Sequence, residues 1–600
     1  ASPSPMVVAR KKDNTTGRRR EKTQKTTVSK KTTTTKKPSS KEGEFTKLWE
    51  TFRRKVEKKP GERKKAIETI LKATRGKLFE LSLKHVEARV VQTMLRYGDA
   101  SQRAAIASEL APRFAELSKL PYARHVAIAL ARVGSHGREI YESVVPVFAK
   151  LAVHQVAAKV VDVLLLRSFL TTSQKKILRE SLLFPRDLDT NIARGKTDRL
   201  LQKLADKALV HLPFAHDLLR NHAARCRGEW QRLRDLAPHF AEPALHVAAT
   251  RAGALGLCDL VACADAKTRK KFVKALKSKV SACADHRHAY LVVWRLLDVV
   301  DDTVFTSKTL LASLVPIVPF SRGAARIVAS LLHPSLSHES KLQESKLQES
   351  SFRLEPHETQ ILKHRPEEMS VGEVTASKKT TARRRQELRE AATDLLNRAV
   401  SKDPLAFLAS RFGGAPVLIP LLKSPAAVAA LAQAATAASF RQGTAKEKET
   451  AAAAAAAEDD DDVDDETDAE FSRKIDAKLE LGLPSEERDE TVAPAVAEGS
   501  GTAILEHDVG HATLKALLQA EASAEGGHHA LGRAFYDRVT GRFGAWVATN
   551  RGAFVIEALL RSDDAPFARD AARQAKKALA KVPERTAGAA ALAAKLGVSY

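Results

Sequence analysis

Three five-residue blocks near the start of the chain set a cation among small or apolar residues: Ala88-Arg89-Val90-Val91-Gln92, Arg124-His125-Val126-Ala127-Ile128 and Ala158-Lys159-Val160-Val161-Asp162. Their second residues, Arg89, His125 and Lys159, stand 36 and 34 positions apart. Such side chains bind phosphate by charge, and a row of them at a fixed period can track a polyanion. Two other clusters invite metal chemistry. Cys258-x4-Cys263 with Cys283, His286 and His288 fits no closed four-ligand zinc pattern. His507 and His511 offer two ligands one helical turn apart and no evident third. No metal or other cofactor is assigned to either. The sequence contains no Gly-rich phosphate loop, GxSxG or HExxH, so an enzyme is not expected.

The elements that must position the blocks are helices. From Phe45 onward apolar residues recur at three- and four-residue steps between charges, as in Leu48, Trp49, Phe52 and Val56, then Ile67, Ile70 and Leu71. Alternating β-branched runs are rare, and breakers such as Tyr97-Gly98-Asp99 separate helical stretches. The chain reads as all-α. The block register returns at Ala254-Leu255, Tyr290-Leu291 and Ala325-Arg326, with steps of 36 and 35. That is the period of an α-solenoid, shorter than the ~40–47 residues of HEAT or armadillo repeats. A HEAT/armadillo-like protein-binding scaffold or nuclear transport adaptor is therefore the alternative reading. The gap of 96 between Lys159 and Leu255 predicts a degenerate fourth repeat carrying an insertion.

Charge points to the class of partner. The 600 residues hold 99 Lys+Arg against 72 Asp+Glu, a net charge of +27. Residues 1–41 carry 13 Lys/Arg and two acids, whereas Glu458–Glu470 carries ten acids and no base. The excess survives in the remainder, so the helical body is itself basic and a polyanion is expected. Lys175, Lys176, Lys270, Lys271, Lys378, Lys379, Arg383, Arg384 and Arg385 add basic clusters along it and are further expected nucleic-acid contacts. The four cysteines form no CxxC pair and suggest a reducing intracellular compartment. No apolar run reaches the ~20 residues of a membrane span, so no membrane association is expected.

The predicted organisation is a disordered basic arm (1–44), an N-terminal repeat array (45–335) and a low-complexity insertion and linker (336–375) with a tandem Lys-Leu-Gln-Glu-Ser. A C-terminal repeat block follows in two parts, 376–440 and 502–600, interrupted by an Ala-rich, acidic loop at 441–501.

The segment from Phe79 to Gly98, with its Ala88–Gln92 block, resembles a Pumilio-type (PUF) repeat. Three further pieces resemble the family's divergent nucleolar Penguin, or CPL-domain, branch. These are Lys378-Lys379 with Arg383-Arg384-Arg385-Gln386-Glu387-Leu388, Glu506-His507…Gly510-His511…Leu514-Lys515, and Trp546…Asn550-Arg551-Gly552-Ala553. The resemblance covers roughly residues 45–600 without the insertions. It implies about eleven PUF-like repeats in a superhelix bent between its two blocks, and a monomer in the nucleolus. It also implies a role in large-subunit ribosome assembly and rRNA processing among ribosomal or assembly proteins, with binding of RNA, pre-rRNA above all, or of DNA without strong sequence preference.

In sequence-reading PUF proteins two side chains of each block reach a base edge and the one between stacks on it. By that correspondence the edge pairs here are Ala88/Gln92, Arg124/Ile128, Ala158/Asp162, Ala254/Cys258, Tyr290/Trp294 and Ala325/Ala329. Most lack the paired donors and acceptors that base discrimination requires, which also disfavours sequence-specific messenger repression. The middle positions read Arg89, His125, Lys159, Leu255, Leu291 and Arg326. Arg89, Gln92, Arg124, His125, Lys159 and Arg326 are thus expected contacts of a nucleic-acid backbone.

Overall fold

The computed structural model describes residues 60–133, 136–166, 168–183, 191–226, 229–333, 358, 377–437, 503–507, 509–524, 529–562, 566–582 and 586–598. The predicted arm, the insertion apart from Glu358, and the acidic loop lie outside them. The chain divides into two units, residues 1–70 and 71–600. Of the first, only the opening turns of a helix, Pro60–Thr74, are described.

The second unit is a ladder of helices, and no strand occurs among the described residues. Its inner layer is labelled here in chain order: α1 (His85–Tyr97), α2 (Ala123–Val133), α3 (Ala158–Leu166), α4 (Pro213–Arg225), α5 (Arg251–Cys263), α6 (Tyr290–Val299), α7 (Arg322–Leu332), α8 (Gly414–Leu418), α9 (Gly510–Ala522), α10 (Asn550–Leu559) and α11 (Ala587–Leu596). Each packs on the next. Short helices such as Phe114–Leu117 and Ala244–Ala248 lead into them, and helices such as Ala100–Leu110, Thr172–Leu182, Ala266–Leu276 and Thr381–Lys402 form an outer layer. Apolar periodicity drives the packing. α1 buries Ala88, Val90, Val91, Met94 and Leu95, and a fully buried large aliphatic side chain contributes about 1.5–3 kcal/mol.

One device recurs at the start of the inner helices. Thr250, Ser321, Thr549 and Thr586 accept a hydrogen bond from the backbone N–H three residues on, at 3.0–3.3 Å. Ser410 does the same before α8, accepting from the Gly413 N–H at 3.1 Å. Histidines fill this role elsewhere. His154 Nδ1 accepts from Val156 and Ala157, His286 Nδ1 from His288 and Ala289, and His507 Nδ1 from Val509 and Gly510, all at 3.1–3.3 Å. A side-chain acceptor here satisfies amide donors that have no partner inside the helix. The imidazole of His507, weighed above as a metal ligand, is thus a helix cap, and His511 Nδ1 lies 3.0 Å from the His507 carbonyl oxygen.

The Trp546…Asn550-Arg551-Gly552 motif is a joint between repeats. A Cβ on Gly552 would lie 2.1 Å from the Trp546 carbonyl oxygen, so only glycine permits this approach. Arg551 Nη1 donates to the Leu505 carbonyl at 2.9 Å, and Asn550 Oδ1 accepts from the Gly588 N–H at 2.6 Å.

The fourth repeat, which its sequence hides, is built on α4. A 16-residue helix, Asn191–Asp206, fills the long gap before it. Asp162 Oδ1 accepts from the Phe214 N–H at 2.9 Å and so fastens α4 to α3.

Candidate nucleic-acid interface

Each predicted block falls on an inner helix, which places Arg89, Arg124, His125 and Lys159 on one layer. Arg89 is exposed, while Gln92, Arg124, His125 and Lys159 are half-buried. Arg124 Nε donates to His125 Nε2 at 3.2 Å. Burial, reinforced by the charge of Arg124, draws the Lys159 ammonium down to about 8. Burial likewise lowers Arg124. The charge of Lys159 reaches into the fourth repeat. Burial holds His211 below its usual range against a bond to the Ala208 carbonyl, and the charges of Lys159 and His246 add to the lowering. Electrostatic stress of this kind marks a surface that gains when an anion arrives.

His211 and His246 were not anticipated from the sequence. Both lie in lead-in segments outside the five-residue blocks, so the period gave no signal for them. The inner helix α4 adds Asp217 and Arg220, half-buried, and Arg220 pairs with Asp259 of α5 at 2.7 Å.

Beyond the fourth repeat the layer changes character. Leu255, Tyr290, Leu291 and Trp294 are buried. Arg326 is buried as well, and its guanidinium is gripped by Glu358, with Nε to Oε1 at 2.5 Å. Tyr290 Oη donates to the same carboxylate at 2.8 Å. Arg326 is therefore corrected from a ligand contact to half of an internal ion pair.

The basic clusters elsewhere prove to be of two kinds. Lys175, Lys176, Lys270 and Lys271 sit on outer-layer helices and not on the inner helices that carry Arg89, Arg124 and Lys159. Lys175 Nζ donates to the Ser168 carbonyl at 2.6 Å, Lys176 stands 4.0 Å from Glu180, and Lys270 pairs with Asp302 at 2.9 Å.

The Lys378–Arg385 cluster is a buried latch. Arg384 is fully buried and donates to the Asp298 carbonyl at 2.9 Å, to Asp301 Oδ1 at 3.2 Å, to Thr381 Oγ1 at 2.8 Å and to the Lys379 carbonyl. Arg385 pairs with Asp298 at 3.1 Å. Ser377 Oγ donates to Asp301 Oδ1, and the Lys378 N–H to Asp301 Oδ2 at 2.7 Å. Lys379 and Arg383 both pair with Glu387, at 2.6 and 3.2 Å. Burial alone would raise the Asp298 carboxyl, but Arg385, Arg295 and Arg384 hold it below the usual range. Arg384 is thus corrected to a structural residue. Arg385 and Lys379 are tied to the same joint, while Lys378 and Arg383 keep exposed side chains.

The cysteines are buried thiols. Burial pushes Cys263 and Cys283 up to about 12, and Cys258 Sγ donates to the Leu291 carbonyl at 3.4 Å. Among the described residues no single helix is long and apolar enough to cross a membrane.

Stacked inner helices, six of which carry the five-residue blocks that step by 34–36 residues within each run, with short lead-in helices and an outer layer, define an α-solenoid of PUF-like repeats. No family model matches the chain. Pumilio homology domain family member 6 of Schizosaccharomyces pombe is 28% identical over 290 residues, 44% of this chain and 44% of its own length. Human Pumilio homolog 3 is 25% identical over 300 residues, 45% of each chain. Protein penguin of Drosophila melanogaster is 24% identical over 116 residues, 19% of this chain and 16% of its own. The chain spans about half the length of the first two of these relatives. Its fold matches the crystal structure of human Puf-A with a TM-score of 0.70 at 19% identity, covering 92% of this chain and 99% of that one. In sequence and in fold the chain is thus similar to divergent Pumilio-homology (PUF) proteins.

Proposed function

We propose that this protein binds RNA, and DNA, through the nucleic-acid backbone and without sequence preference, in nucleolar assembly of the large ribosomal subunit. The observation that carries the binding reading is the cationic row Arg89, Arg124 and Lys159 on successive inner helices, with the hydrogen-bonding imidazoles of His125, His211 and His246 beside it. The same helices offer little to read a base. Ala88, Ala158, Ala254 and Ala325 have no polar side-chain atom, and the one acid at an edge position, Asp162, is occupied in fastening α4. Charge without paired edge groups favours phosphate over sequence. The DNA complex of human Puf-A, matched at TM-score 0.68 and 18% identity over 92% of this chain and 99% of that one, supports the ligand class. The nucleolar role rests on the motif resemblance.

The test is binding of the full chain to several unrelated single- and double-stranded RNAs and DNAs across a salt series. All should bind alike, with affinity falling steeply as salt rises. The Arg89→Ala/Arg124→Ala/Lys159→Ala variant should weaken every ligand alike and reduce the log–log salt slope by about two to three. Strong preference for one sequence would overturn the reading. An unchanged slope in the variant would move the interface off the inner layer.

A further inference from the structure

The outer layer carries a basic surface of its own. Helix Ala266–Leu276 and the turn after it expose Lys267, Lys271, Lys274 and Lys277, while Thr268, Arg269, Phe272, Val273 and Leu276 face inward. Among the described residues none of these four ammonium groups has a carboxylate within ion-pair distance. Asp265 is held as the helix cap, its carboxylate accepting from the Thr268 N–H at 3.0 Å, and Asp302 is taken by Lys270. From 267 to 277 the row runs about 15 Å at ~1.5 Å per residue. Beneath it lies a further buried cation. Arg269 directs its guanidinium to the Val261, Ala262 and Val299 carbonyls at 2.5–3.0 Å, and burial lowers it only to about 10, so it stays charged at neutral pH.

We propose that the Lys267–Lys277 row is a second phosphate-backbone contact surface, separate from the inner one, so that one molecule holds two nucleic-acid segments at once. The chemistry favours phosphate over an acidic protein. The row consists of lysines, compact point charges that read charge density, whereas carboxylate recognition favours the bidentate fork of arginine. A protein partner of standard type also buries aromatic or aliphatic anchors in pockets. Here the exposed residues of 265–278 are lysines with Asp265, Ala266 and Ser278, and no aromatic or large aliphatic side chain is among them. The inference rests on the nucleic-acid reading given above.

The experiment is lysine footprinting of the full chain. Acetylation is followed residue by residue by mass spectrometry, with and without a saturating mixed-sequence 12-nucleotide RNA, and in parallel with a poly-glutamate peptide. RNA should slow acetylation of Lys267, Lys271 and Lys274 several-fold, both in the wild type and in the Arg89→Ala/Arg124→Ala/Lys159→Ala variant. The Lys267→Glu/Lys271→Glu/Lys274→Glu variant should lower the salt slope for a long RNA by about two. Protection of Lys159 without protection of the outer lysines overturns this inference and leaves the inner reading standing. Outer protection lost in the inner variant would show one continuous site. Protection by poly-glutamate and not by RNA would assign the row to an acidic protein. If RNA protects neither Lys159 nor the outer row, the nucleic-acid reading itself fails.

Discussion

Lys159 is the residue whose chemistry is most exposed to test. Its ammonium, drawn down to about 8 by burial and by Arg124, is charged at pH 7 and largely neutral at pH 9. Affinity for any RNA should therefore decline as pH rises through 8, and the decline should flatten in Lys159→Arg, whose guanidinium stays charged. Titrating one labelled oligonucleotide at several pH values checks this. The histidine caps make an opposite prediction about stability. His154 and His286 accept amide bonds through Nδ1, and burial, with nearby positive charges adding, holds both below the ordinary 6.5. The unfolded chain then binds more protons than the folded one below that value. Stability is full above pH ~6.5 and falls as pH drops toward 5. Replacing both with serine keeps an acceptor at each cap and should flatten the loss, read as Tm at pH 7.5 and 5.5.

At the scale of elements, the helix Thr381–Lys402 shows what sequence could and could not convey. Arg383, Arg384 and Arg385 look alike as letters, and all three were expected to touch nucleic acid. Helix phase separates them: Arg384 and Leu388 point into the core, while Arg383 points out. The partners that explain the burial, Asp298 and Asp301, lie more than 80 residues away and are invisible to local periodicity. Arg384→Ala should cost about 3–5 kcal/mol in urea unfolding because it breaks the pair with Asp301 and leaves the Asp298 and Lys379 carbonyls without their buried donor, whereas Arg383→Ala should cost under about 0.5 kcal/mol. The inner helices were legible because their blocks repeat at a fixed step. The fourth was not, because the helix Asn191–Asp206 displaces its register and its block, His216-Asp217-Leu218-Leu219-Arg220, carries an acid at the second position where the others carry a cation, a histidine or leucine.

For the molecule as a whole, the charge balance indicated a basic body, but not that its cations divide between two layers, nor that Glu358 occupies Arg326. Glu358→Ala should lower stability by about 3 kcal/mol, since Arg326 would remain buried without its partner carboxylate. Thermal unfolding checks this, and Arg326→Met in the same background should restore much of the loss. Nearest-neighbour packing lets such a ladder assemble stepwise from one end. The latch adds a constraint of timing to that assembly. Asp301 meets Ser377 across 76 residues, and at ~5–20 residues per second a ribosome needs about 4–15 s to make that interval. A nascent chain thus carries the sixth repeat with Asp301 unanswered and Asp298 paired with Arg295 but not with Arg385 for seconds before Arg384 and Arg385 emerge, which makes that interval a point in the protein's synthesis open to a chaperone.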